Sequence, residues 1–191
     1  MPAPFKRATG HDSLSHLADL ERYDIVNDHS TSIEQLEGNL GFIDYNNAGA
    51  AQSLDADTWT TITNDGAGSF TNKTYAPTGV PELQDGSGNL DFQYLELGDS
   101  ILIRADFTVT PTVNGATLEL RYGLGQGGNA YNLPRLIGTM ANGAGIGYRF
   151  VIETYIYMGD TNTLGGVGTL QLKVSEDASV ANAGWVIQVF R

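Results

Sequence analysis

Ile101-Leu-Ile-Arg-Ala-Asp-Phe-Thr-Val109 decides the fold. Ile101, Ile103, Ala105, Phe107 and Val109 fall on one side, while Arg104, Asp106 and Thr108 fall on the other. A period of two is that of a strand with one face on a core. Working outward, Thr117–Tyr122 repeats the pattern with Leu118, Leu120 and Tyr122 inward. Tyr148–Met158 repeats it with Tyr148, Phe150, Ile152, Ile156 and Met158 on one face. Thr169–Val174 and Trp185–Phe190 follow, and Thr58–Thr63, Ser69–Tyr75 and Asp91–Leu97 read as weaker strands. Gly, Asn, Asp and Pro separate these runs. No stretch after residue 41 keeps a helical period over about ten residues. The expectation is an all-β chain: an antiparallel jelly-roll sandwich of about eight strands over residues 41–191, with less than about a tenth helix.

Two details sharpen it. Arg104 and Asp106 share an outer face, as do Glu119 and Arg121. If the two strands pair through a Pro111–Gly115 turn, opposite charges face each other. The last strand, with Trp185, Ile187, Val189 and Phe190, is too apolar for an open edge. It must sit centrally in a sheet or be covered by another subunit. Tyr155 and Tyr157, with Val151, make the outer face of Tyr148–Met158 apolar as well. Tyr155, Tyr157, Trp185 and Phe190 are therefore the expected oligomer interface, most simply of a homotrimer.

Residues 1–40 read as an N-terminal attachment arm. Pro2 and Pro4 favour an extended start. Leu14, Leu17 and Leu20, then Ile33, Leu36 and Leu40, are spaced for short helical turns. Phe5 beside Lys6 and Arg7 offers one ring for an apolar pocket and two cations for an acidic rim. Phe5, Lys6, Arg7, Leu14 and Leu17 are the expected attachment residues toward another protein. A terminus without a role is the competing reading.

The chain has 191 residues, 41% of them hydrophobic, with 24 Gly and a net charge of −12. The length suits one domain. The charge argues against nucleic acid, whose binding needs cations against phosphates, and against a polybasic membrane anchor. No Cys is present, which removes disulfides, thiolate metal sites and a Cys nucleophile. No apolar run reaches the roughly 20 residues of a membrane helix. The first residues lack the apolar segment of a signal peptide, so the expectation is no membrane insertion.

Motifs for chemistry are few. Gly123-Leu-Gly-Gln-Gly-Gly128 has the spelling of a dinucleotide loop, but Asn129–Pro134 cannot supply the helix that the pyrophosphate needs. It reads as a long Gly-rich loop. Asp85, Ser87, Asn89 and Asp91 put oxygens at alternate positions, a weak calcium candidate, but Leu90 stands where such a loop needs Gly. The plainer reading is a polar turn. The His residues, all within 1–40, are not spaced as a helical zinc pair. No Ser lies in a G-x-S-x-G elbow and no His lies beyond residue 40. The expectation is no enzyme and no cofactor. Tyr131 and Asn132, in the loop Gly123–Pro134, are the candidate glycan-binding residues: one ring and one amide suit a sugar.

Gly98–Pro111, Leu118-Glu-Leu-Arg-Tyr122, Ile156–Thr163 and Asn182–Ile187 resemble the jelly-roll domains of tailed-phage structural proteins. His11–Leu17, Asn27-Asp-His29 and Gly38-Asn-Leu40 are similar to a degenerate phage fibre segment, with Asn27 where that segment has Asp. The resemblance implies a non-enzymatic virion protein, assembled in a bacterial host cytoplasm, that serves as fibre head, head spike or capsid decoration. Many such domains trimerise like the heads of the tumour-necrosis-factor type. The alternative is a receptor-binding module for host-surface glycan. No functional residue carries over by identity.

Overall fold

The computed structural model describes residues 39–191. Strand β1 (Leu40–Asn46) is followed by three short ones: β2 (Gln52–Leu54), β3 (Thr60–Thr61) and β4 (Leu90–Asp91). The long strands are β5 (Ser100–Pro111), β6 (Ala116–Leu124), β7 (Tyr131–Met140), β8 (Tyr148–Tyr157), β9 (Val167–Val174) and β10 (Ala178–Phe190). One helical turn, α1 (Thr161–Leu164), precedes β9, and the Asp160 carboxylate caps it by accepting from the Thr163 N–H at 2.7 Å.

Two antiparallel sheets result. The first runs β1-β10-β5-β8, with β2 also on β10; the second runs β3-β9-β6-β7, with β4 also on β9. The chain changes sheets between β2 and β3, β4 and β5, β5 and β6, β7 and β8, β8 and β9, and β9 and β10, leaving β6–β7 as the long hairpin within one sheet. This is a jelly-roll sandwich. The alternating side chains close between the layers: Ile101, Ile103, Ala105, Phe107 and Val109 of β5 meet Leu118, Leu120, Tyr122, Leu170 and Leu172 of the other sheet in one buried cluster. Burying each such aliphatic side chain contributes about 1.5–3 kcal/mol against the chain entropy.

Several expectations are corrected. Strand β1 begins at Leu40, which the sequence pattern assigned to a helical turn of the arm. Of Thr58–Thr63 only Thr60–Thr61 is strand, and of Asp91–Leu97 only Asp91. Ser69–Tyr75 is not a strand; Asn72 makes an isolated bridge to Asp44. The segment Gly123–Pro134 is not a long loop: β6 runs to Leu124, a three-residue 3-10 turn follows at Gly127–Asn129, and β7 starts at Tyr131.

The charge pairing across Pro111–Gly115 also fails, because β5 and β6 lie in different sheets. Arg104 instead pairs with Asp106 on its own strand at 2.7 Å, and Glu119 with Lys173 of β9 at 2.7 Å. Strand β10, flanked by β1 and β2 on one side and β5 on the other, is central, the first of its two expected placements.

Candidate functional site

Register places the outward residues of the first sheet in rows. Leu40, Phe190, Ser100 and Tyr157 form one row across four strands; Phe42, Gln188, Leu102 and Tyr155 form the next. Leu40, Phe42, Tyr155, Tyr157 and Phe190 are 37–58% exposed. Tyr75 stacks on Phe42 with ring centroids 5.2 Å apart. One half of this face is thus a bare apolar band.

The next rows hold Asp44, Val186, Arg104 and Glu153, then Asn46, Gly184, Asp106 and Val151. There Asp106 receives Arg104 at 2.7 Å and Arg149 at 3.6 Å. Asp106, Asp44 and Glu153 together push the Arg104 guanidinium further toward its charged form. The charged half therefore carries both signs side by side.

The second sheet differs. Trp59, just before β3, lies under the Arg121 guanidinium, 4.3 Å from the ring centre, and the Lys173 ammonium, 5.1 Å away. Cations capping a ring in this way leave little of it for a partner.

Of the expected interface residues, Tyr155, Tyr157 and Phe190 lie on the bare band. Trp185 does not. It is 1% exposed, on the inward side of β10, so its apolar bulk serves the core. Leu40, Phe42 and Tyr75 were missed. The signal was Leu40-Gly-Phe-Ile-Asp-Tyr45, whose apolar residues occupy both faces and hide the period of two.

Tyr131 and Asn132 alternate along β7, yet both line one shallow hollow. Tyr131 packs half-buried against the core, and its hydroxyl is hydrogen-bonded with the Thr163 hydroxyl at 2.8 Å. Asn132 is exposed opposite Gly123, in that hollow of about 250 Å³ shared with Thr169. Tyr131 thus contributes both to the packing and to the edge of the hollow.

Of the calcium candidates, the Asp85, Asn89 and Asp91 side chains serve turns. The Asp85 carboxylate accepts from the N–H groups of Ser87 and Asn89, both at 2.8 Å, and Asp91 accepts from that of Gln93 at 3.0 Å. Burial acts to raise the Asp85 carboxyl, but the bonds from Asn89, Ser87 and Gly88 outweigh it and hold it below the usual range. Among the described residues no three His, Asp or Glu side chains converge to hold a metal ion. Phe5, Lys6, Arg7, Leu14 and Leu17 lie outside the described residues.

A larger cleft, about 480 Å³, opens between the β1–β2 loop, residues 63–65 and the turn 84–88. Its walls are Asn47, Gln52, Asn64, Asp65, Gln84 and Ser87. Buried Asn64 donates to the Tyr45 carbonyl at 2.7 Å and accepts from Gly66 N–H at 2.8 Å. Asn47 donates to the Asn182 carbonyl at 3.1 Å and accepts from Asp65 N–H at 2.9 Å. The Asp65 carboxyl is held below the usual range by the N–H groups of Ala67 and Ala48. The cleft joins three separated Asn/Asp/Gly-rich turns. In sequence each reads as an ordinary turn.

No family model and no curated protein matches the sequence. Solved structures do. The Eiger TNF of S. frugiperda has a TM-score of 0.44 at 7% identity, over 80% of this chain and 93% of that one. VP2 of infectious bursal disease virus, from a subviral particle, has a TM-score of 0.41 at 12% identity, over 80% of this chain and 32% of that one. The PRD1 vertex protein has a TM-score of 0.40 at 18% identity, over 79% of this chain and 70% of that one. This chain thus spans about a third of the VP2 chain. The jelly-roll assignment itself rests on the two sheets described above. Among the described residues no helix is long and apolar enough to cross a membrane.

Proposed function

We propose that this chain is a non-enzymatic structural protein of a virion, of a tailed phage or phage-like particle assembled in its bacterial host. Residues 1–40 attach it to another virion protein, with Phe5, Lys6, Arg7, Leu14 and Leu17 as the contacts. The sandwich faces outward as head spike, decoration or fibre head. The bare band of Leu40, Phe42, Tyr155, Tyr157 and Phe190 carries the reading, and its occupant is a second copy of the same chain, in a homotrimer. Five exposed apolar residues gathered in two adjoining rows, with Ser100 and Gln188 between them, mark a contact surface on a chain of net charge −12. Identical acidic chains repel, yet the rows beside the band set Arg104 and Arg149 among Asp44, Asp106 and Glu153, which lowers the like-charge cost of a contact between copies on this face. The resemblance of Gly98–Pro111 and of the arm motifs to phage structural proteins supports the setting.

Deletion tests the arm. A chain lacking residues 1–12, expressed with the genes of its particle, should fold and associate like the parent but be missing from gradient-purified particles. Incorporation at the parental copy number would refute arm attachment. A second reading, recognition of host-surface glycan, is favoured by the polar cleft.

A further inference from the structure

We infer that the cleft between the β1–β2 loop, residues 63–65 and the turn 84–88 is a binding site for a neutral saccharide. This deepens the glycan-recognition reading and rests on it, but moves the site away from Tyr131 and Asn132. At about 480 Å³ the cleft has room for one or two sugar rings. Its free hydrogen-bonding capacity is of both kinds: the Asn47, Gln52, Asn64 and Gln84 amides each donate one of two N–H groups, and acceptors are free beside them. Among the described residues no group donates to Asp65 Oδ2, to the amide oxygens of Gln52 and Gln84, or to the Ser87 hydroxyl oxygen. A ligand that satisfies the lining must bring donors and acceptors at close spacing, as the hydroxyls of a sugar do.

The charge selects further. Asp65 and Asp85 are the charged residues of the lining, and no Lys or Arg is among them. Sialic acids, uronates and phosphates meet two carboxylates and no counter-ion, so the ligand is neutral. The side chains that project into the cleft are chiefly Asn, Gln, Asp, Ser and Thr, with Ala50 and glycine backbone between them, which suits the mixed polar and C–H surface of a sugar. The walls are also fixed beforehand. Asn47 and Asn64 are each bonded on both sides of the amide, and Gln52 donates to the Thr61 carbonyl at 3.3 Å. Gly88 lets the 84–88 turn lie against Asn64, since a Cβ there would come 2.5 Å from the Asn64 carbonyl oxygen. Groups held in place lose little freedom on binding, which matters for a ligand recognised chiefly by hydrogen bonds. With no aromatic platform in the lining each site is weak, and several copies on one particle make the contact useful.

The test uses the full chain on an array of neutral oligosaccharides (galactose-, glucose- and rhamnose-bearing) beside sialylated and uronate-bearing ones. Retention of a neutral group is expected. Its affinity, followed by ligand-observed NMR, should fall at least about tenfold in Gln52→Ala and Ser87→Ala, a loss equivalent to one hydrogen bond. Both should keep the parental melting temperature within a few degrees. Asn132→Ala, in the other hollow, should bind like the parent. If a neutral sugar is retained but only Asn132→Ala loses it, this site is wrong while glycan recognition stands. Preference for acidic sugars, or retention of none, overturns the inference, and the latter overturns glycan recognition too. Calcium alone raising the melting temperature of the parent but not of Asp65→Asn would make the cleft a cation site and overturn it equally. Particle incorporation is read separately, so attachment can hold or fail by itself.

Discussion

The Tyr45 hydroxyl, buried in β1, donates to the carboxylate of Glu82, 37 residues further along the chain. The same hydroxyl accepts from Leu83 N–H at 2.7 Å, and Lys73 reaches Glu82 from outside while lying over the Tyr45 ring, 5.2 Å from its centre. The irregular segment 73–83 is thereby fastened to the sandwich. Burial pushes the Tyr45 hydroxyl well above its ordinary value, so it stays a donor. Burial would raise Glu82 also, but the hydrogen bonds from Lys73 and Tyr45 prevail and hold it below the usual range.

That direction sets a pH dependence. A carboxyl depressed in the folded state contributes stability that is present above its unfolded value and lost as pH falls through the folded one. The melting temperature of the parent should drop between roughly pH 5 and pH 3. Glu82→Gln should start lower at pH 7 and drop less over that range. Equal slopes in thermal melts of the two proteins would show that Glu82 is not the group involved.

Gly184 is required where it stands. Its φ of 143° lies in the region open to glycine, and a Cβ would come 2.4 Å from the Tyr45 carbonyl oxygen. The residue follows the bulge at Asn182–Gly184 that brings β10 back into register with β5. Gly184→Ala should destabilise by at least about 1 kcal/mol in urea unfolding, more than the entropy it removes from the unfolded chain. A variant as stable as the parent would mean that the bulge relaxes freely.

Legibility followed exposure. In β5, β6 and β9 one face is buried and the other wet, so the period of two is written plainly. Strand β7 has most of its residues exposed and contains Pro134, which argues against a central strand. Proline is accommodated because β7 lies at a sheet edge, a fact of topology that no local pattern carries. The mispaired charges failed for the same reason: alternation marks Arg104–Asp106 and Glu119–Arg121 as strand faces but cannot tell which sheet each joins. Tyr155 and Tyr157 could be found because, with Val151, they put apolar groups on the face where Arg149 and Glu153 mark the solvent side. The cleft could not, since its walls come from turns brought together only by folding.

Trp185 and Tyr155 separate core from surface, although both looked alike as aromatic residues on strong strands. Trp185 is buried, and its indole N–H has no acceptor among the described residues, so the ring alone does the packing. Trp185→Ala should cost about 3–5 kcal/mol as the cavity fails to close. Trp185→Phe should cost less than half as much, because no hydrogen bond is lost with the nitrogen. Tyr155→Lys with Tyr157→Lys should leave the protomer folded, since both rings are more than half exposed and hold up no part of the core. Its effect belongs to assembly: two buried cations per copy in an apolar contact should convert the proposed trimer into monomers in light scattering at micromolar concentration. The parent run as a monomer under the same conditions would refute self-association through this band. A double-Lys variant that stays trimeric would move the interface to another face, with Leu136 of β7, 71% exposed, the next apolar group to replace.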